Sequence, residues 1–334
     1  MQSGADFLVE GSSNIARKFK IPEVIIGLTI VAIGTSLPEL IISASAAING
    51  NNEISMSNVV GSNIANLFLV ISLCAIFKPL HIKKQIRFID QPFVVFCTVF
   101  LFYIANNDGM IAQNEGIALL LFSIMYIVYT IFIAKFGKGV NQYQSENEEE
   151  IKEEKNLFGD SKIIKLLKRQ KSSFEIKFPT LYSFCIIAFG IILLKFGGDI
   201  TVDSASNVAL ALGMSKKLVG LTIVAMGTSL PELITCIQAT RRGETDLAIG
   251  NIIGSQIFNI VLVLGTSSAI HDISQVDGFM DDIIVLLIGN IFFAVAPFFN
   301  KRHRIGRLIG SILVFFYFSY ISVQVAENLY INQI

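Results

Sequence analysis

Residues 27–41 read GLTIVAIGTSLPELI and residues 220–234 read GLTIVAMGTSLPELI, so fourteen of fifteen positions agree. The match continues downstream at a constant offset of 193. Gly50 pairs with Gly243, Asn58 with Asn251, Gly61 with Gly254, Ser62 with Ser255 and Asn66 with Asn259. Two unrelated apolar helices would share leucines and valines. They would not share Gly, Thr, Ser, Pro, Glu and Asn in register. The chain is therefore an internal repeat, and the rest of it is placed relative to the two copies.

The 334 residues are 53% hydrophobic and 16% charged, against about a quarter charged in a soluble domain. Apolar runs recur at the roughly 20 residues that cross a bilayer. Hydropathy predicts spans at 24–48, 55–77, 92–105, 115–136, 180–198, 217–240, 247–270, 280–299 and 307–326. Residues 1–136 form a first membrane half containing the first repeat (27–73). Residues 179–334 form a second half containing the second repeat (220–266). Between them, residues 137–178 are a polar linker with an acidic run at Glu148, Glu149 and Glu150, followed by Lys162, Lys165, Lys168, Arg169 and Lys171. Residues 161–171 read either as an amphipathic helix on the membrane surface or as part of a solvated tether. The zero net charge and the lack of a long basic patch argue against a nucleic-acid partner. Cys74, Cys97, Cys185 and Cys236 all fall in apolar runs without metal-type spacing, and His81, His271 and His303 fall in connections.

Basic residues alternate between connections. Arg17, Lys18 and Lys20, then Lys78, Lys83, Lys84 and Arg87, then the linker, Arg241 and Arg242, and finally Lys301, Arg302, Arg304 and Arg307 fall on one side. The connections with Glu53, Asp108 and Asp272–Asp282 fall on the other; only Lys216 and Lys217 break the pattern. Positive charge marks the cytoplasm, so the linker is expected inside and the C-terminus outside. The second copy begins five crossings after the first and enters from the opposite face. Inverted repeats with sites near the midplane mark secondary transporters. The second half opens with LYSFCIIAFGIILLKFGGDITVDSA, in which Gly197, Asp199 and Val202 match Gly4, Asp6 and Val9. The first half is thus expected to start inside its first helix, roughly three turns in.

Within each copy the chemistry is dense. Thr35 and Glu39 share one helix face, with Ser36 within a turn. Pro38 has no N–H and clashes with the Gly34 carbonyl, freeing that carbonyl and, by expectation, those of Ala32 and Thr35. Pro231 acts in the same way near Gly227. Glu39 and Glu232 are the only acidic residues of the motif helices, with no Lys or Arg beside them. An unpaired carboxylate at that depth costs several kcal/mol or turns neutral. They read as cation ligands; two protonated glutamates in structural hydrogen bonds are the alternative. Hydroxyls of Thr35, Ser36, Thr228 and Ser229, the Ser62 and Ser255 hydroxyls, and the amides of Asn66 and Asn259 complete an oxygen-only set. Such a set suits hard ions such as Na+ and Ca2+. Ser62, Asn66, Ser255 and Asn259 also read as polar residues of helix packing. Two carboxylates neutralise one Ca2+ or serve several Na+, and competition for shared ligands is the physical basis of exchange. A channel is disfavoured, because channels are usually symmetric oligomers. An enzyme with Ser36 or Ser229 as nucleophile lacks a base at that depth.

GTSLPEL followed by a GSN- or GSQ-type segment, twice, resembles the alpha repeats of the calcium/cation antiporters, and most closely the prokaryotic sodium/calcium exchangers. The resemblance implies an all-α membrane protein of ten helices, as two inverted five-helix repeats. It implies an antiporter that exchanges Na+ for Ca2+ by alternating access and normally extrudes Ca2+. An H+/Ca2+ antiporter on the same fold is the alternative. Glu39 and Glu232 would coordinate Ca2+ with the backbone carbonyls of Thr35 and Thr228. Na+ sites would use Ala32, Ser36 and Ser62 in one half and Ala225, Ser229 and Ser255 in the other. Asn66 and Asn259 would line the centre, and the first helix of each half would slide across this core. Many relatives, potassium-dependent exchangers among them, carry Asp where Asn259 stands, which argues against K+ coupling here; Gln256 replaces a commonly expected Asn. The implied partners are the lipid bilayer and the transported ions. The implied setting is a prokaryotic inner membrane, and the protein is expected to act as a monomer without a cofactor.

Overall fold

The computed structural model describes residues 1–50, 52–136, 179–211, 225–274, 279–299 and 303–331. The first half holds α1 (Gln2–Phe19), α2 (Glu23–Thr35), α3 (Leu37–Ile48), α4, α5 and α6 (Gln113–Phe136). Helix α4 runs as Asn52–Ala65, a π-helical turn at Asn66–Val70, and Ile71–Phe77. Helix α5 is a π-helical turn at Ile86–Asp90 continued by Gln91–Asp108. The second half holds α7 (Pro179–Ala211), α8 (Ala225–Thr228), α9 (Leu230–Arg241), α10, α11 (Phe279–Val295) and α12 (Arg307–Ile331). Helix α10 runs as Thr245–Phe258, a π-helical turn at Asn259–Leu264, and Gly265–Ile270.

Among the described residues seven helices are long and apolar enough to cross a bilayer, and α2 with α3 passes the same test as a bent pair. The expected spans are thereby recovered, except that 217–240 begins outside the described residues. So do the linker 137–178, with its stretch at 161–171, and the exceptional Lys216 and Lys217. Helix α5 starts earlier than the hydropathy boundary of 92–105. Arg87 and Asp90 hide its first turn from an apolar window, yet both are buried, and Tyr126 Oη donates to Asp90 Oδ1 at 3.1 Å.

The prolines decide where the repeat helices break. Pro38 sits in the first turn of α3 and offers no N–H to the Gly34 carbonyl, so α2 and α3 meet at a 45° bend. Ser36 at the break has φ −85°, ψ 6°; Ser229, between α8 and α9, has φ −84°, ψ 0°. Identical sequence has produced the same backbone twice.

Burial separates core from periphery. The apolar windows of α10 and α4 are 94% and 83% buried, whereas those of α6 and α12 are 22% and 17%. Leu121, Val128 and Phe132 on α6, and Phe315 and Phe318 on α12, point outward, as a lipid-facing surface requires. The halves interlock through α2 and α10 at backbone contact. A Cβ on Gly27 would lie 2.6 Å from the Leu247 carbonyl oxygen. With little hydrophobic drive between helices in lipid, small residues that let backbones touch supply the packing.

Two short antiparallel ladders also join the halves. Leu80–His81 (β1) pairs with Arg304–Ile305 (β4), and Met110–Ile111 (β2) with Ile273–Ser274 (β3). The first ladder unites two connections that the sequence places on the basic side. The second unites two on the acidic side. The alternation of charge therefore correctly sorts these connections by face. Helix α1 lies along α7 and is tied to the α9–α10 connection. Ser13 Oγ donates to Glu244 Oε2 at 2.5 Å, and Arg242 pairs with Asp6 at 2.5 Å.

Candidate cation site

The structure links Thr35, Ser36, Glu39 and Ser62 of the first copy with Thr228, Glu232 and Ser255 of the second through hydroxyl and carboxylate contacts. Glu39 and Glu232 are fully buried. No ion pair among the described residues involves either one. Ser62 Oγ donates to Glu39 Oε1 at 3.5 Å, and Ser255 Oγ to Glu232 Oε1 at the same distance, so each helix after the break serves its own glutamate. Other contacts cross between halves. Ser36 Oγ donates to Glu232 Oε1 at 3.3 Å. Thr228 Oγ1 meets Ser62 Oγ at 3.1 Å, and Thr35 Oγ1 meets Ser255 Oγ at 3.5 Å.

Among the predicted residues, Glu39 Oε2, Glu232 Oε2, Ser229 Oγ, Asn259 Oδ1 and both amide atoms of Asn66 are buried without a hydrogen-bond partner. Buried polar atoms are nearly always paired, so an unpaired oxygen on each of two fully buried carboxylates calls for a ligand. Asn66 and Asn259 are fully buried, and each opens a π-helical turn. Asn259 Nδ2 donates to Asn63 Oδ1 at 3.2 Å. Ala225 opens α8 opposite Ala32 in the register. The Ala32 carbonyl departs from expectation: it stays in the helical ladder, accepting from the Ser36 N–H at 3.0 Å. Thr35 Oγ1 also donates to it at 3.4 Å, so a ligand there would have to displace that hydroxyl.

Sequence reasoning missed Asn58 and Asn251 as parts of this cluster. Thr228 Oγ1 donates to Asn58 Oδ1 at 3.3 Å and Thr35 Oγ1 to Asn251 Oδ1 at 3.1 Å. Their place in the repeat register was the available signal. Among the described residues no group of three or more His, Cys, Asp and Glu side chains is placed to hold a metal. The donors here are two carboxylates, hydroxyls, amides and carbonyls, the ligands of hard cations.

Comparison with known proteins points the same way. A family profile described as "Sodium/calcium exchanger protein" matches residues 1–134 and 182–326. The chain is 31% identical to the inner membrane protein YrbG of Escherichia coli, with 92% of this chain and 88% of that protein covered. It is 32% identical to the putative antiporter CaxA of Alkalimonas amylolytica, covering 95% and 92%. It is 30% identical to the sodium/calcium exchanger MaX1 of Methanosarcina acetivorans, covering 96% and 94%. A solved structure of the sodium-calcium exchanger NCX_Mj, soaked with Na+ and Ca2+, superposes with a TM-score of 0.75 at 28% identity, covering 96% of this chain and 92% of that one. The chain is a multi-pass membrane protein that belongs to the sodium/calcium exchanger family, a family of cation antiporters.

Proposed function

We propose that this protein exchanges Na+ for Ca2+ across the membrane and normally extrudes Ca2+. The observation that carries the reading is the pair Glu39 and Glu232. Both are fully buried, one comes from each inverted repeat, and each has an oxygen without a protein partner. Together they supply the two negative charges that balance one Ca2+. Thr35, Thr228, Ser36, Ser229, Ser62, Ser255, Asn66 and Asn259, with the carbonyls of Ala32 and Ala225, supply the neutral oxygens. With Ca2+ gone, the same carboxylates balance Na+ ions, so one load leaves before the other enters. Two faces of opposite orientation give the site two routes of access, and movement of α1 and α7 across the core selects between them. The linker 137–178 lies in the cytoplasm and the C-terminus outside.

The test is radiolabelled Ca2+ uptake by Na+-loaded vesicles containing the purified protein, diluted into Na+-free medium. Uptake should need the outward Na+ gradient and fall at least 100-fold in Glu39→Gln and in Glu232→Gln, each of which deletes a full charge from a water-poor site. Uptake driven by a pH jump and indifferent to Na+ would replace Na+ by H+ as the coupling ion.

A further inference from the structure

Asn58 and Asn251 occupy one place in the repeat register and make the same contact across the halves. Asn58, on α4, accepts from Thr228 of the second half, and Asn251, on α10, accepts from Thr35 of the first. Both are buried, and their Nδ2 groups are anchored differently. Asn58 Nδ2 donates to Ser43 Oγ at 2.9 Å and to the Glu39 carbonyl at 3.3 Å. Asn251 Nδ2 reaches Cys236 Sγ at 3.3 Å. Ser43 and Cys236 are themselves register mates, at the same offset of 193. A hydroxyl is a full acceptor and a thiol sulfur a weak one. The next brace differs in the same sense. Ser55 Oγ donates to the Ser43 carbonyl at 2.6 Å. Its register mate Ala248 has no hydroxyl; its carbonyl instead accepts the Cys236 thiol at 3.4 Å.

We infer that Asn58 and Asn251 are positioning residues that hold the ion-facing threonines Thr228 and Thr35 across the pseudo-twofold axis, and that the Ser43/Cys236 difference makes the Thr35 half of the site the looser one. The inference rests on the cation-site reading above. Each asparagine Oδ1 lies within hydrogen-bond distance of a threonine hydroxyl and so ties that threonine to the opposite half. Partners of this kind, one step removed from an ion, are worth about 10–100-fold in metal affinity. A threonine held by a firmly anchored amide is ready for its ion, whereas one held by an amide resting on sulfur must first be ordered. The inverted repeat thus yields two half-sites of equal ligands and unequal stiffness.

The experiment measures half-saturating Ca2+ and maximal rate in the same vesicle uptake assay, with melting temperature in parallel. Asn58→Ala and Asn251→Ala should raise half-saturating Ca2+ about 10–100-fold, with a smaller fall in maximal rate. Cys236→Ser installs the first-half acceptor in the second half and should lower half-saturating Ca2+ about two- to fivefold. Ser43→Cys should raise it by a similar factor. These two exchanges change little volume and decide the matter even if the alanine variants fold poorly. The inference is overturned if Cys236→Ser and Ser43→Cys leave half-saturation unmoved, or if the alanine variants lower melting and maximal rate alone. Glu39→Gln in the same series separates the two ideas. If it retains Na+-driven uptake, the cation-site reading falls. If it loses uptake while the four variants keep wild-type half-saturation, only the positioning role falls.

Discussion

Gly254→Ala should cripple ion binding while leaving the protein folded. A Cβ at Gly254 would lie 2.6 Å from Ala32 Cβ, 2.7 Å from the Leu28 carbonyl oxygen and 2.9 Å from Leu28 Cα. Carbon contacts relax near 3.5–4.0 Å, so α2 and α10 must part by roughly 1 Å. Two of the three obstructing atoms are backbone, and the third is a Cβ, so no side-chain rotation absorbs the strain. Overpacking of this size costs about 1–3 kcal/mol, which lowers the melting temperature without unfolding the protein. The site suffers more. Gly254 precedes Ser255 and follows Asn251 by one turn, and both touch Thr35, at 3.5 and 3.1 Å. A parting of roughly 1 Å puts both contacts beyond hydrogen-bond range. Misplacement by 1 Å around a reacting centre costs on the order of 100-fold, and a rise in half-saturating Ca2+ of at least 10-fold is expected here. Gly306→Ala is the matched control, because a Cβ there meets nothing within 4 Å. The assay is vesicle uptake for affinity and thermal melting for stability. Wild-type half-saturation in Gly254→Ala would refute the reasoning, as would equal damage from Gly306→Ala.

Phe258 is fully buried on α10, its ring 6.1 Å from that of Tyr126, and Phe258→Ala should cost about 3–5 kcal/mol, read as a fall in melting temperature. Phe132→Ala, on the lipid-facing surface of α6, should change it little; equal losses would contradict the assignment of core and lipid face. Glu244 lies outside the spans, and burial pushes its carboxyl above the ordinary 4.5, while the Ser13 hydrogen bond and the charges of Arg17 and Arg242 pull it down. Its folded state thus holds a proton that the unfolded chain releases near 4.5, so its contribution to stability is full below that pH and lost as pH rises through the higher folded value. Glu244→Gln keeps an acceptor for Ser13 and should remove that part of the pH slope in melting temperature measured between about pH 4 and 8. An unchanged slope would mean that Glu244 ionises alike in both states.

What was legible in the sequence follows from what a repeat can show. Thr35, Ser36, Pro38 and Glu39 announce a broken helix with an acidic side chain one turn on, and their recurrence at 228–232 makes the reading secure. Residues whose meaning lies in the other half were harder. Asn58 bonds Thr228 and Asn251 bonds Thr35, at sequence separations of 170 and 216, and no spacing rule within one helix reaches so far. The Ala32 carbonyl keeps its donor because Pro38 removes an N–H from the carbonyl four residues back, at Gly34, and Ala32 pairs with the Ser36 N–H. The ladders β1–β4 and β2–β3 escaped notice because two residues carry no alternation. The first turn of α5 was lost to Arg87 and Asp90, whose burial beside Tyr126 is a tertiary fact.

The interlocking of the halves explains why the chain carries the motif twice. One copy alone could not satisfy its own polar residues. Besides the Ala32 carbonyl of its own helix, Thr35 reaches Asn251 and Ser255 on α10; Thr228 reaches Asn58 and Ser62 on α4, and the Ser36 hydroxyl reaches across to Glu232. Removed from its partner, either copy would expose unpaired hydroxyls and a carboxylate to lipid, at several kcal/mol each. Completion by the other half is therefore a condition of folding as much as of ion binding. It also fixes the orientation of the copies. A threonine at the broken end of one helix can meet the serine and asparagine of the other half, and be met in return, only if a twofold axis relates the two. In a membrane, where the copies cross in opposite directions, that axis lies in the plane of the bilayer. A site on that axis would be equally distant from both faces, as the proposed exchange requires. Point changes such as Cys236 for Ser43 break the equivalence without breaking the frame.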